Sequence, residues 1–186
     1  MMATAKQTSS CTATLFPAHS PALLMDWTHW TPQVHAVLCF IIRDGQVLLI
    51  HKQRGLGAGK VNGPGGKLEA GESPAAAALR ETEEEVGVTP LGLAEAGTVR
   101  FQFTDGLCLL CTVFTARDFT GTLTATVEAI PFWSPLTAVP YGEMWEDDRY
   151  WLPQVLAGQH INAGFVFEGE RMLSQWVEVT TPTAPS

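Results

Sequence analysis

The chain has 186 residues, 46% of them hydrophobic, with a net charge of −8, which suits one buried core and one globular domain. An acidic chain without a run of Lys and Arg is a poor fit to a nucleic-acid-coating surface, and no nucleic-acid polymer is expected as a partner. The longest apolar run, Ala36 to Ile42, is far too short to cross a bilayer, and the 4 cysteines (Cys11, Cys39, Cys108, Cys111) are too few and too scattered for a disulfide scaffold, so a soluble, cytoplasmic protein in a reducing compartment is expected.

Residues 1–33 are rich in Thr, Ser, Ala and Pro and read as a partly ordered N-terminal extension, with Trp27 and Trp30 able to anchor its end. The domain is expected over residues 34–180, leaving residues 181–186 as a tail. Val34 to Ile42 and Gln46 to Lys52 have the composition of strands joined at Arg43-Asp44-Gly45. A glycine-rich loop follows, from Gly55 to Gly71. Ser73-Pro74 then opens a helix, with Ser as N-cap and Pro at the first helical position, and Gly87 ends it. Leu91 to Phe103, Leu107 to Ala116 and Val127 to Trp133 contain further strand-like segments. A second helix is expected from about Glu143 to Leu156, closed by Gly158, with Pro153 able to kink it. His160 to Phe167 and Arg171 to Val179 form a last hairpin around Glu168-Gly169-Glu170. Strands around one helix, then a late second helix, predict an α+β fold with a mixed sheet packed between helices in an α/β/α sandwich.

The chemistry concentrates between residues 66 and 88, which hold Glu69, Glu72, Glu81, Glu83, Glu84 and Glu85. On a helix, with Glu81 at zero, Glu85 falls about 40° to one side and Glu84 about 60° to the other. Like charges at such spacings repel. A solvated acidic face is the ordinary explanation of a charge run. The arrangement becomes favourable if a hard divalent cation with oxygen ligands completes it, and such cations commonly bridge carboxylates to phosphates. Gly65-Gly66 just before the helix permits close backbone approach, and Lys67 adds positive charge beside an anion site.

The pattern Gly66-x5-Glu72-x7-Arg80-Glu81-Thr82-x-Glu84-Glu85-x-Gly87-Val88 resembles the signature of the Nudix family, with Thr82 where an aliphatic residue is usual. The resemblance implies a Nudix fold and a Mg²⁺-dependent hydrolase, with Mn²⁺ able to substitute. By position, Glu81, Glu84 and Glu85 would bind metal with the carbonyl of Gly65, Arg80 would hold the glutamates, and Glu72 would support the loop–helix junction. Either Glu84 or Glu85 could act as base toward water attacking a diphosphate bridge.

Two further segments resemble the MutT-type members of the family, in particular the animal enzymes acting on oxidised purine nucleoside triphosphates. They are Lys52 to Gly63 and Met144 to Pro153. The resemblance implies that Asn62, Asp147 and Asp148 hydrogen-bond a purine edge and that Trp145 stacks on the base. Leu38, Phe101 and Phe103 would line the pocket, Lys52 would lie near the phosphates, and Glu128 would face the metal. Adjacent buried carboxylates favour keeping one protonated, so such a pair can both donate and accept. Leu56, Val61 and Pro64 stand at positions that are aromatic in those relatives, which points to a wider, less stacking rim. A nucleoside triphosphate such as 8-oxo-dGTP or 2-oxo-dATP is the implied substrate, and a monomer the default state. ADP-ribose, a dinucleotide or a non-catalytic nucleotide-binding role are the alternatives. Cys108-x-x-Cys111 lies in a strand-like run, where residues three apart face opposite ways, so it reads as packing and not as half a zinc site.

Overall fold

The computed structural model describes residues 25–180; most of the expected extension and the expected tail lie outside them. Ten strands and two α-helices follow in the order β1 (Val34–Arg43), β2 (Gln46–Lys52), β3 (Val61–Asn62), α1 (Pro74–Val86), β4 (Val88–Leu91), β5 (Ala94–Phe103), β6 (Cys108–Ala116), β7 (Asp118–Gly121), β8 (Ala129–Pro135), α2 (Asp148–Leu156), β9 (His160–Glu168) and β10 (Arg171–Thr180). The main sheet runs β10-β9-β5-β6-β1-β2-β3, with β8 on β2, and β4 pairs separately with β7. It is mixed: β1 lies parallel to β6, and β5 parallel to β9. Alternation along the strands sends apolar side chains to both faces. Ala77, Ala78 and Val86 of α1 pack with Val37, Cys39, Ile41 and Ile50, while Trp151, Leu152 and Val155 of α2 join the separate cluster that holds Phe40 and Phe165. The result is the expected α/β/α layering.

Local chemistry explains α1 almost completely. The Ala76 N–H donates to the Ser73 hydroxyl at 3.2 Å, Pro74 occupies the first turn, and Gly87 closes the helix at φ 76°. Thr82 is fully buried at an aliphatic position, and its hydroxyl donates to the Ala78 carbonyl at 2.7 Å, so the departure leaves no orphaned polar group.

One feature of the sheet positions the glycine loop and the start of α1. β2 pairs with β1 only at Ile42↔Val47 and Arg43↔Gln46 before diverging. The backbone of the glycine loop takes its place along β1, with Val37 N–H donating to the Gly66 carbonyl and Cys39 N–H to the Pro64 carbonyl, each at 2.8 Å. Leu68 N–H donates in turn to the His35 carbonyl at 3.0 Å. The segment before α1 is thereby held as firmly as a strand.

Several boundaries differ from expectation, most by one or two residues. Within the strand-like stretch Leu91 to Phe103, Leu91 ends β4 and β5 starts only at Ala94, after a break at Gly92, whose φ is 66°. β8 starts at Ala129 and not Val127, because the Thr126 hydroxyl accepts the N–H groups of Glu128 and Ala129 at 3.2 Å while donating to the Glu85 carbonyl at 2.9 Å. α2 starts at Asp148 and not Glu143, because the Glu143 carbonyl accepts the Val61 N–H at 2.9 Å and the Trp145 N–H goes to the Asp148 carboxylate at 3.0 Å.

On the face of β5, β9 and β10 away from α2, Trp27 meets Trp30 and Trp176 edge-on at 5.6 and 6.5 Å, and Trp30 Nε1 donates to Gln102 at 3.0 Å. Gly164 makes room for this packing: a Cβ there would stand 2.4 Å from Trp176 Nε1 and 2.9 Å from the Trp27 ring. Gly164→Val is therefore expected to destabilise the protein by about 1–3 kcal/mol through overpacking. The measurement is the urea midpoint, and an unchanged midpoint would show that the tryptophans do not pack against this face.

Candidate active site

A cavity of about 420 Å³ opens on the α2 side of the sheet and reaches the second half of the carboxylate helix. At that end its wall includes Gly65, Gly66, Lys67, Glu81, Glu85, Lys52 and Glu128. Arg80 organises the approach. Its Nε and one terminal nitrogen donate to the two oxygens of Glu72 at 2.9 and 2.8 Å, a bidentate pair, while the other terminal nitrogen donates to Glu81 at 2.8 Å and Glu84 at 3.1 Å. The same guanidinium donates to the Lys67 carbonyl at 3.1 Å, and Glu72 accepts the Glu69 N–H at 2.9 Å, so loop and helix are tied at both ends. Hydrogen bonding from Arg80 holds the Glu72 carboxyl down at about 2.

Glu85 is different. Its side chain is only 1% exposed and accepts from Lys52 Nζ at 2.8 Å and from the Gly65 N–H at 2.9 Å. Burial raises its pKa, against the lowering effect of Lys52 and the Gly65 N–H. Glu84 is 58% exposed and, unlike Glu81 and Glu85, does not line the cavity. In this arrangement the repulsion expected on the helix face is offset by Arg80 and Lys52, and no cluster of three or more Asp, Glu, His or Cys converges as a ready metal cage among the described residues. The donor chemistry still fits a hard divalent cation: Glu81, Glu85, Glu128 and the Gly65 backbone offer oxygen at one end of one cavity. A Cβ at Gly66 would lie 2.3–2.5 Å from the Glu81 carboxylate, so only glycine lets that group lie against the loop.

The opposite end of the cavity is apolar with two carboxyls. Leu38, Phe101, Phe103, Cys111 and Phe167 line it together with Asn62, Trp145, Asp147 and Asp148. The parallel register Phe101↔Phe165 and Phe103↔Phe167 stacks the rings of Phe103 and Phe167 at 5.6 Å. Asp147 and Asp148 are 1% and 3% exposed. Trp151 Nε1 donates to one Asp147 oxygen at 2.8 Å, while the other, Oδ1, is buried without a partner. Burial raises both carboxyls, and the charge of Asp147 raises Asp148 further. Asn62 Oδ1 accepts the Gly63 N–H at 2.9 Å, leaving its amide nitrogen for other partners.

The structure thus gathers the expected residues into one cavity, with Glu84, Arg80 and Glu72 just outside its lining. Val61 and Pro64 are buried away from the cavity, so of the three rim departures only Leu56, 48% exposed, lines it. Sequence reasoning missed Trp151, although its i+4 spacing from Asp147 at the start of a helix was a signal. It also missed Arg54, Cys111 and Phe167. Cys111 faces the cavity as a free thiol and Cys108 does not line it, in keeping with the expected alternation.

A family model for the NUDIX domain matches residues 32–155. The chain is 36% identical over 137 residues to an oxidized purine nucleoside triphosphate hydrolase of Danio rerio, covering 73% of this chain and 88% of that protein. It is 35% identical over 134 residues to the protein of the same name from Mus musculus, covering 72% and 86%. Its fold is similar to the crystal structure of a mutator MutT protein from Bacillus halodurans, with a TM-score of 0.71, 26% identity, and coverage of 78% of this chain and 97% of that one. A carboxylate helix held by Arg80, a loop laid along β1 and these matches together establish that the chain belongs to the Nudix hydrolase family.

Proposed function

We propose that the protein is a Mg²⁺-dependent nucleoside triphosphate pyrophosphohydrolase acting on oxidised purine nucleotides such as 8-oxo-dGTP and 2-oxo-dATP. The products would be the nucleoside monophosphate and pyrophosphate. The observation that carries this reading is a single cavity with oxygen donors at one end and an aromatic wall bearing two buried carboxyls at the other. The printed activity of the Danio rerio and Mus musculus relatives supports the substrate class. The corresponding role is sanitation of the nucleotide pool, a contribution to DNA repair, by a cytoplasmic monomer that binds no nucleic-acid polymer. None of the described helices is long and apolar enough to cross a membrane.

Nudix hydrolases generally need divalent metal cations; for this chain Mg²⁺ is the proposed ion, with Mn²⁺ able to replace it. Glu81, Glu84, Glu85, Glu128 and the Gly65 carbonyl would hold it, and when bound it supplies charge neutralisation for phosphates and a more acidic water. Arg80 keeps Glu81 and Glu84 oriented through its bond to Glu72. Lys52, paired with Glu85 at rest, is a cation in the cavity wall for a phosphate oxygen. Glu84 or Glu85 accepts the proton of the attacking water. At the far end Trp145 stacks on the base between walls formed by Leu38, Phe101 and Phe103, and Asn62, Asp147 and Asp148 read its edge. The unpartnered Asp147 Oδ1 supports that role, since a buried polar atom without a partner is costly unless a ligand meets it.

Pyrophosphate release with Mg²⁺ is expected to be faster, as kcat/KM, for 8-oxo-dGTP and 2-oxo-dATP than for unmodified dNTPs or ADP-ribose. Preference for ADP-ribose would overturn the base assignment, and release from no substrate would indicate a binding module. Of Glu84→Gln and Glu85→Gln, assayed separately, at least one is expected to lower kcat by about 10²–10⁴-fold; wild-type turnover in both contradicts the assignment. The buried Asp pair predicts a pH effect of definite sign. Raised pKa values keep a proton on the pair into the neutral range, and it is lost as pH rises. KM for a purine that needs a donor from the pair should therefore rise on the alkaline side, and Asp148→Asn, a fixed donor, should flatten that limb. A KM independent of pH for both oxidised purines would remove the donor role.

A further inference from the structure

Trp145 is fixed by more than the cavity it lines. Phe103 and Phe167 meet its ring edge-on at 6.2 and 5.5 Å, and the backbone of the glycine loop closely approaches the indole nitrogen, where a Cβ at Gly57 would stand 2.8 Å from Nε1. Over the ring itself sits Lys60 Nζ, 5.1 Å from the centroid. Lys60 does not line the cavity, whereas Trp145 does. The same ammonium donates to Glu170 at 2.9 Å, across 110 residues of chain, in the turn between β9 and β10. A second bond joins the same hairpin to the tryptophan segment: the Met172 N–H donates to Glu146 at 3.0 Å.

We infer that Lys60 and Glu170 are positioning residues for base recognition: Lys60, tethered by Glu170, clamps the Trp145 indole from outside the cavity so that its remaining face is presented to the purine. This rests on the proposed role of Trp145 as the stacking surface. An exposed ion pair would contribute little, but the Lys60 side chain is only 21% exposed, against 71% for Glu170, and a partly desolvated cation over an indole is the stronger contact. The weight therefore falls on Lys60, with Glu170 limiting where its ammonium can go. A clamp on the free enzyme reduces the freedom the indole must lose when a base stacks, which favours binding without touching the reacting phosphates.

The test is steady-state kinetics on full-length Lys60→Met, Lys60→Arg and Glu170→Gln with Mg²⁺ and 8-oxo-dGTP. Lys60→Met should raise KM by about threefold to tenfold with kcat unchanged, and Lys60→Arg, which keeps the cation, should restore it. Glu170→Gln, on an exposed turn where folding is not at stake, should raise KM in the same direction by about twofold. Unchanged KM in Lys60→Met and Glu170→Gln, a loss confined to kcat, or failure of Lys60→Arg to rescue would each overturn the clamp. These outcomes are read against wild-type enzyme that turns over 8-oxo-dGTP; a wild type that does not would instead overturn the base-pocket assignment.

Discussion

Glu81, Glu84 and Glu85 stand within little more than one turn of α1, and their mutual repulsion is the constraint the site is built around. Two cations from other parts of the chain offset it. Arg80 spans Glu72, Glu81 and Glu84, and Lys52 of β2 reaches the buried Glu85. A buried carboxylate without such a partner would be severely penalised, so the divergence of β2 from β1, which brings Lys52 to α1, is a condition for Glu85 being where it is. The backbone contributes as well, through the Gly65 N–H on Glu85 and the laying of the glycine loop along β1. A divalent cation on these oxygens would take over part of the charge balance that Lys52 and Arg80 now supply.

The far end of the cavity solves the inverse problem. Asp147 and Asp148 are acids that the sheet and α2 bury almost completely, with one indole N–H and one backbone N–H as their direct partners. There burial works against ionisation, whereas at Glu72 a guanidinium enforces it. One cavity therefore holds an end that combines carboxylate oxygens with Lys52, suited to a cation and phosphates, and an end whose carboxyls are pushed by burial toward the protonated form, suited to the mixed donors and acceptors of a purine edge.

Where the determinants are local, the sequence alone is a good guide. Ser73, Pro74 and Gly87 announce α1 because capping is decided within a few residues, and the fixed spacing of its glutamates marks the acidic end of the cavity. Side-chain placement is less readable. A helical wheel puts Glu84 beside Glu81, yet Arg80 draws it outward, to 58% exposure. Acidic residues at the start of a helix are ordinarily accounted for by the helix dipole; Asp147 and Asp148 are instead buried in the cavity wall, through packing that the local sequence does not display. Phe167 enters the cavity through the parallel pairing of β5 with β9, a long-range choice no short window of sequence encodes. Lys60 and Glu170 meet for the same reason, at the closing of a hairpin far along the chain.

The central claim is that both ends of the cavity serve one ligand. Its direct measurement is the affinity for Mn²⁺, followed by electron paramagnetic resonance, with and without a non-hydrolysable 8-oxo-dGTP analogue. Coupling between two ligands is reciprocal. The account predicts that the nucleotide tightens Mn²⁺ binding, that Mn²⁺ tightens nucleotide binding by the same factor, and that Glu81→Gln abolishes the effect. Independent binding of the two ligands would contradict it.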